Sequence, residues 1–309
     1  MSTVIELVEK IKSRELKSYD VVKKYIETIE SKKEYNAVLE IFYDALDKAK
    51  EIDARLDKGE SVGKLAGVPI IIKDNILYKG KIASCASKFL QNYHAEYNST
   101  VVSKLLKEGA VIIGRANMDE FAMGGSTENS AYGPCLNALD KTRVPGGSSG
   151  GSASAVAGGM TPCALGTDTG GSIRQPSSFN GIVGIKPTYG RVSRYGIVAF
   201  ASSLDQVGPI TTNVADNAYM LSILAGEDKH DETTLKAEVP NYIEAIGQDI
   251  KGLKIGVINQ VKSLMKDSSA FDKAVAWFES KGAEIVNVDI KDIELCLPVY
   301  YIVAPAEAC

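Results

Sequence analysis

Apolar positions over the first sixty residues recur with the spacing of an amphipathic helix. Val4, Leu7, Val8 and Ile11 fall on one face, and Val21, Val22, Tyr25, Ile26 and Ile29 form a second stripe behind Ser18, a candidate N-cap. A third helical segment, rich in Ala, Asp and Lys, is read from about Tyr43 to Leu56. The period then changes. Residues 67–73 (GVPIIIK) make a short β-branched run that ends on a single lysine, the pattern of a buried strand. Beyond it, Ser103–Glu108 reads as helix, Ala110–Gly114 as strand, Asn117–Met123 as the start of a helix, and Gly181–Lys186 as strand. The segment up to Pro209 reads as turn-rich, and Asn213–Ala225 as helix. Strand Lys254–Ile258, helix Ala270–Lys281 and strand Glu284–Ile290 make an α/β unit. The pattern predicts one α/β domain over 1–309, with a helical N-terminal layer over 1–60, a core over 61–230 and a C-terminal part starting at 250.

One stretch breaks this alternation. Pro145–Pro187 reads PGGSSGGSASAVAGGMTPCALGTDTGGSIRQPSSFNGIVGIKP, two Gly/Ser clusters around a segment of small apolar residues. Such a run permits turns and close backbone approach. A flexible linker has the same Gly/Ser composition, but the buried-looking Ala/Val segment that follows at once argues against one. A phosphate-binding loop is disfavoured as well, because no Walker lysine and no GxGxxG is present.

Composition narrows the classes of function. A net charge of −4 and a pI near 5.5 argue against a broad nucleic-acid surface. The charged start, MSTVIELVEKIKSRELKS, has no apolar core of a signal peptide, and no run of about 18 apolar residues suggests a membrane span. Cys85, Cys135, Cys163, Cys296 and Cys309 are scattered and form no CxxC pair, so reduced thiols and a cytoplasmic location are expected, with no metal site. The two histidines, His94 and His230, lie in polar stretches that read as solvated surface, which leaves a Ser-His-Asp mechanism short of a base.

Three residues stand out by position. Lys73 ends an apolar strand, Ser148 sits in the first Gly/Ser cluster and Ser172 ends the second. Each also has a plain structural explanation. Lysine commonly ends a strand with its ammonium in water, and serines among glycines commonly make turns.

The sequence resembles the amidase signature family, serine hydrolases of amides. The resemblance rests on GGSSGGSASAVAGG with GTDTGGSIRQPSSFNGIVGIKPTYGRVSRYG, and extends from Gly67–Asn75 to the SSLDQVGP of Ser202–Pro209. It implies an amidase-signature fold, a mixed β-sheet covered by helices on both faces. It also implies a Ser-Ser-Lys triad: Ser172 as nucleophile, Ser148 as bridging serine behind a cis peptide after Gly147, and Lys73 as base. Thr169, Gly170 and Gly171 would supply an oxyanion hole, Gly124 and one of Tyr300 and Tyr301 would approach the substrate, and Asp168 and Arg174 would hold the nucleophile loop. The physics agrees with such roles. A serine needs a base to be a good nucleophile, and burial favours the neutral, basic form of lysine.

Asn117–Pro134 and Pro187–Pro209 most resemble the branch of this family that serves as the glutaminase component of a tRNA-dependent amidotransferase. That resemblance implies B and C partner subunits, glutamine as amide donor and Glu-tRNA(Gln) reached through the complex. No cofactor is implied for this chain, and ATP and Mg²⁺ would be used by a partner. Relatives of this kind continue beyond the motif beginning at Val299, so a C-terminal part holding the glutamine α-carboxylate and α-amine is expected to be missing. Gly125 and Ser178 stand where serine and alanine are expected. Two other readings compete, a stand-alone amidase and a non-catalytic assembly fragment.

Overall fold

The apolar run at residues 69–73 lies inside a six-stranded sheet in the computed structural model, which describes residues 2–308. Met1 and Cys309 lie outside the described residues. The chain forms α1 (Val4–Lys12), α2 (Ser18–Ser31), β1 (Val38–Ile41), α3 (Ala45–Asp57), β2 (Pro69–Lys73), α4 (Thr100–Lys107) and β3 (Val111–Ala116). It continues with α5 (Gly150–Ala157), β4 (Cys163–Asp168), α6 (Arg174–Phe179), β5 (Val183–Gly184), β6 (Gln206–Thr211) and α7 (Val214–Leu224). These elements belong to one unit, residues 1–243. A second unit, residues 244–307, holds β7 (Lys254–Ile258), α8 (Asn259–Ser263), α9 (Ser269–Ser280), β8 (Glu284–Val288) and most of α10 (Cys296–Ala308).

The large sheet has the order β1-β3-β2-β4-β6-β5. β2 runs parallel to both β3 and β4, whereas β1, β6 and β5 pair antiparallel, so the sheet is mixed. Every residue of β2, β3, β4 and β6 is buried, which explains why β2 and β3 read as continuous apolar runs rather than alternating ones. In the second unit β7 and β8 pair in parallel, with Lys254 opposite Glu284. No helix of the described residues is long and apolar enough to cross a membrane.

The stripes on α1 and α2 are buried as their spacing predicts. Thr3 caps α1 locally, its Oγ1 accepting from Glu6 N at 3.1 Å, but the first amides of both helices bond to carboxylates further along the chain. Ser18 is the first residue of α2 rather than its cap, and its hydroxyl donates to Gly67 O at 2.9 Å. The Ser18 and Tyr19 amides donate instead to the two carboxylate oxygens of Asp53 on α3, each at 2.9 Å. Asp216 of α7 does the same for α1, accepting from Val4 N at 2.8 Å and Ile5 N at 3.0 Å. A carboxylate at a helix N-terminus meets both the unpaired amides and the positive end of the helix dipole.

Residues 117–123 do not form the expected helix. Asn117 Oδ1 accepts from Met118 N at 2.9 Å, and its Nδ2 donates to Asn36 O and Gly133 O. Phe121 and Ala122 take φ of +51° and +62°, leaving one 3₁₀ turn at Glu120–Ala122. A side chain that bonds backbone locally competes with the helix ladder. The strand read over 181–186 shrinks to Val183–Gly184, because the Gly181 and Ile182 amides go back to Ser178 O and Ser177 O at the end of α6. Seven elements escaped the sequence pattern, α6, α8 and α10 among them. β1 is short, α5 is too rich in Gly and Ser to read as helix, β4 lies within the small-residue segment, and β6 is disguised by its Gly208-Pro209 pair.

The Asp53→Ala variant should lose about 1–2 kcal/mol of stability, read as a lower denaturant midpoint, since it frees two amides at the start of α2 and removes the ion pair with Arg14 (3.3 Å).

Candidate active site

β2 delivers Lys73 at its C-terminal end, where the side chain is fully buried. Its Nζ donates to Ser148 Oγ at 2.7 Å and to Thr167 Oγ1 at 2.8 Å. Thr167 comes from β4, which runs parallel beside β2 with Ile72 opposite Leu165. The polar groups therefore gather at the carboxyl ends of two parallel strands, the usual place for a site on such a sheet. Asn75 Nδ2 donates to the same Thr167 Oγ1 at 3.1 Å. Burial pushes the Lys73 ammonium down to about 7, against the opposing pull of Asp119, Asp205 and Asp168 and a smaller one from Cys85. Near neutral pH a large share of Lys73 is then the free amine, which can accept a proton from Ser148.

Ser148 is fixed by its backbone. The Gly147–Ser148 peptide is cis, Gly147 N donates to Gln175 Oε1 at 2.9 Å, and Ser148 O accepts from Asp119 N at 3.2 Å. α5 starts directly afterwards, and Ser149 N donates to Ser172 O at 3.1 Å, which ties the two Gly/Ser clusters together. Gly151 shows why this helix needs small residues. A Cβ there would stand 2.3 Å from Asn117 O and 2.6 Å from Ala37 O.

The loop carrying Ser172 wraps around Asp168 at the end of β4. The carboxylate accepts from Gly171 N (2.8 Å), Ile173 N (3.0 Å) and Arg174 N (3.3 Å), and from Arg174 Nε (3.0 Å) and Nη2 (2.9 Å). Burial alone would raise its carboxyl, but the Arg174 guanidinium and the Ile173 amide outweigh that and hold it below the usual range. Thr169 Oγ1 donates to Asp205 Oδ1, while Asp205 Oδ2 accepts from Phe200 N and Ala201 N. Ser172 itself is 9 % exposed. Of the three amides at Thr169, Gly170 and Gly171, the last is already engaged by Asp168.

Gly124 packs on the Asp119 carboxylate, where a Cβ would stand 2.3 Å from Asp119 Cγ. Tyr300 and Tyr301 lie on α10 in the second unit, with ring centroids 5.4 Å apart. His94 and His230 are both exposed, His230 stacked on Tyr195 at 4.6 Å.

A family model described as Amidase matches residues 20–309. The chain belongs to the amidase family. It is 49% identical to the A subunit of glutamyl-tRNA(Gln) amidotransferase from Thermoanaerobacter pseudethanolicus, over 99% of this chain and 64% of that protein. The crystal structure of the corresponding protein from Thermotoga maritima is 41% identical, with a TM-score of 0.86 over 97% of this chain and 65% of that one. The native peptide amidase of Stenotrophomonas maltophilia is 31% identical, with a TM-score of 0.92 over 99% and 66%. The chain thus spans about two thirds of the length of these relatives. Its mixed sheet with helices is the amidase-signature fold expected from the resemblance.

Of the residues singled out in the sequence, Lys73 and Ser148 meet through their side chains, and Ser172 joins them through the Ser149 amide. Thr167, Gln175, Asp119 and Asp205 escaped notice. Thr167 has the clearest signal, a polar residue just before the glycine-rich turn at the end of an otherwise apolar segment, as Lys73 is at the end of β2.

The depressed Lys73 sets a sign for stability against pH. Between about 7 and its ordinary value of 10.5, the unfolded chain holds a proton on this lysine that the folded chain has released. The Lys73 contribution to stability therefore rises with pH across that window, while the buried Cys85, Cys135 and Cys163 thiols, pushed up by burial, act the other way above their ordinary value of 9.0. Between pH 7 and pH 10, urea unfolding should show stability changing less favourably in the Lys73→Met variant than in the unsubstituted protein; equal changes would contradict the depressed lysine.

Proposed function

We propose that this chain is an amide hydrolase acting on the side-chain amide of glutamine, the glutaminase component of a glutamyl-tRNA(Gln) amidotransferase. The observation that carries the chemistry is the fully buried Lys73 amine at 2.7 Å from Ser148 Oγ, in a place where burial pushes its ammonium down to about 7. Identity carries the substrate, since the relatives matched at 49–50% over 99% of the chain bear the amidotransferase name.

In this reading Ser172 Oγ attacks the amide carbonyl. Its proton passes to Ser148, whose own proton passes to Lys73 Nζ. The C–N bond then breaks as that proton returns to the leaving nitrogen, releasing ammonia and leaving a γ-glutamyl ester on Ser172. Water hydrolyses the ester. The Thr169 and Gly170 amides would stabilise the oxyanion; one such donor is worth about 3 kcal/mol in other hydrolases. Gly124 would lie beside the substrate. Ammonia would pass to the B and C partner subunits, where ATP and Mg²⁺ would activate Glu-tRNA(Gln).

A second reading, a stand-alone amidase acting on another carboxamide, draws on the higher TM-score to the peptide amidase. Dependence on partners separates the two. Ammonia release from glutamine that appears or rises strongly on adding the B and C partners supports the amidotransferase component. Release from simple carboxamides without partners, and none from glutamine, supports the other.

The Ser172→Ala variant should lower ammonia release by a factor on the order of 10⁴ or more, and Lys73→Ala nearly as much, because members of such a set act as a unit. Turnover close to the unsubstituted rate in Ser172→Ala would remove the nucleophile assignment.

A further inference from the structure

Three carboxylates pull on the Lys73 proton: Asp119, Asp205 and Asp168. Two of them are spent on other partners. Asp168 is paired with Arg174 and accepts three loop amides, and Asp205 holds Thr169 and two amides of the 200–201 loop. Asp119 differs. It is fully buried, its Oδ1 accepts only a long bond from Asn129 N at 3.4 Å, and its Oδ2 has no hydrogen-bond partner among the described residues.

That oxygen is aimed at the catalytic backbone. A Cβ on Gly147 would stand 2.1 Å from Asp119 Oδ2, so the carboxylate presses against the Cα that precedes Ser148. The Asp119 amide reaches the same place, donating to Ser148 O at 3.2 Å. Glycine at 124 and at 147 is what lets a carboxylate stand there. A buried carboxylate oxygen without a partner is costly to keep, so its retention calls for a use.

We propose that Asp119 is a positioning residue for the Lys73 proton: its carboxylate is the counter-charge that makes an ammonium at Lys73 tolerable inside the sheet. The inference rests on the reading of Lys73 as the base. When Ser148 passes its proton to Lys73, a positive charge appears in a desolvated place with two hydroxyls and the Thr167 carbonyl (3.5 Å), all uncharged, as direct partners. An opposite charge nearby favours that state. The groups facing Lys73 are Asp119, Asp205, Asp168 and the Cys85 thiol, which burial pushes up and keeps neutral. The Cys135 thiol, pushed up to about 12 chiefly by burial, feels the Asp119 charge too and stays neutral as well.

The sign of the test follows. Removing the Asp119 charge disfavours the Lys73 ammonium, so Lys73 should release its proton at lower pH. In the Asp119→Asn variant, the Lys73 midpoint should fall by about one pH unit. It is read by NMR of ¹³Cε-labelled lysine, with the Lys73 resonance identified by its loss in Lys73→Met. The acid limb of ammonia release from glutamine should move by the same amount, and the plateau rate should drop severalfold because the base is weaker. Asp119→Ser is smaller, cannot crowd Gly124 or Gly147, and should give the same shift if asparagine disturbs folding. A merely structural role would lower rate and stability at every pH without moving the limb. An unmoved or raised Lys73 midpoint in either folded variant overturns the proposal. The NMR titration reads the Asp119–Lys73 pairing whether or not glutamine is turned over. Failure of the glutaminase reading therefore leaves the pairing standing, and an unmoved midpoint overturns it with glutaminase activity intact.

Discussion

A lysine amine buried at the end of an apolar strand is the constraint on which the rest of this architecture turns. Water cannot reach Lys73, so its hydrogen bonds come from Ser148 and Thr167 alone among the side chains, and those two must arrive from different elements. Thr167 arrives by strand pairing, on β4 beside β2. Ser148 arrives at the mouth of α5, and that helix can come so close only because its first turn is glycine and serine. The unusual composition of the central stretch is thus a packing requirement set by one amine. A larger residue at Gly151 would meet the backbone of residues 37 and 117 before Ser148 reached its place.

Much of this was legible in the sequence, and the rest was hidden for identifiable reasons. The stripes on α1 and α2 appear because one face of each helix is buried, and β2 and β3 appear because both faces of those strands are. α5 and β4 were invisible to periodicity, since a segment made of Gly, Ser and Ala has no hydrophobic contrast from which to read a period. β6 was hidden by a Gly-Pro pair that usually marks a turn, and residues 117–123 carried a helical pattern that the Asn117 side chain overrides. The positions of Lys73, Ser148 and Ser172 could be marked, but Asp119 could not. Nothing in the NMDEF stretch says that the aspartate turns inward against a glycine 28 residues later.

Both classes of relative match this chain over nearly its whole length. A peptide amidase at 31% identity superposes with a TM-score of 0.92, and a 41% identical amidotransferase component with 0.86. Amide cleavage needs an activated nucleophile and donors for the developing oxyanion, whatever carries the amide. Choice of substrate lies with residues outside that set, which is why fold alone does not assign it.

The caps on the first two helices carry a consequence for how the molecule comes together. The α1 amides bond to Asp216, 212 positions downstream of Val4, whereas the α2 amides find Asp53 within 35. On a ribosome, α2 and α3 can settle soon after both emerge. The Val4 and Ile5 amides of α1 have to wait for Asp216 until α7 has been made, because closing so long a loop costs entropy that only the finished contact returns. The first two amides of the oldest helix thus depend on a carboxylate that leaves the ribosome more than two hundred residues after them.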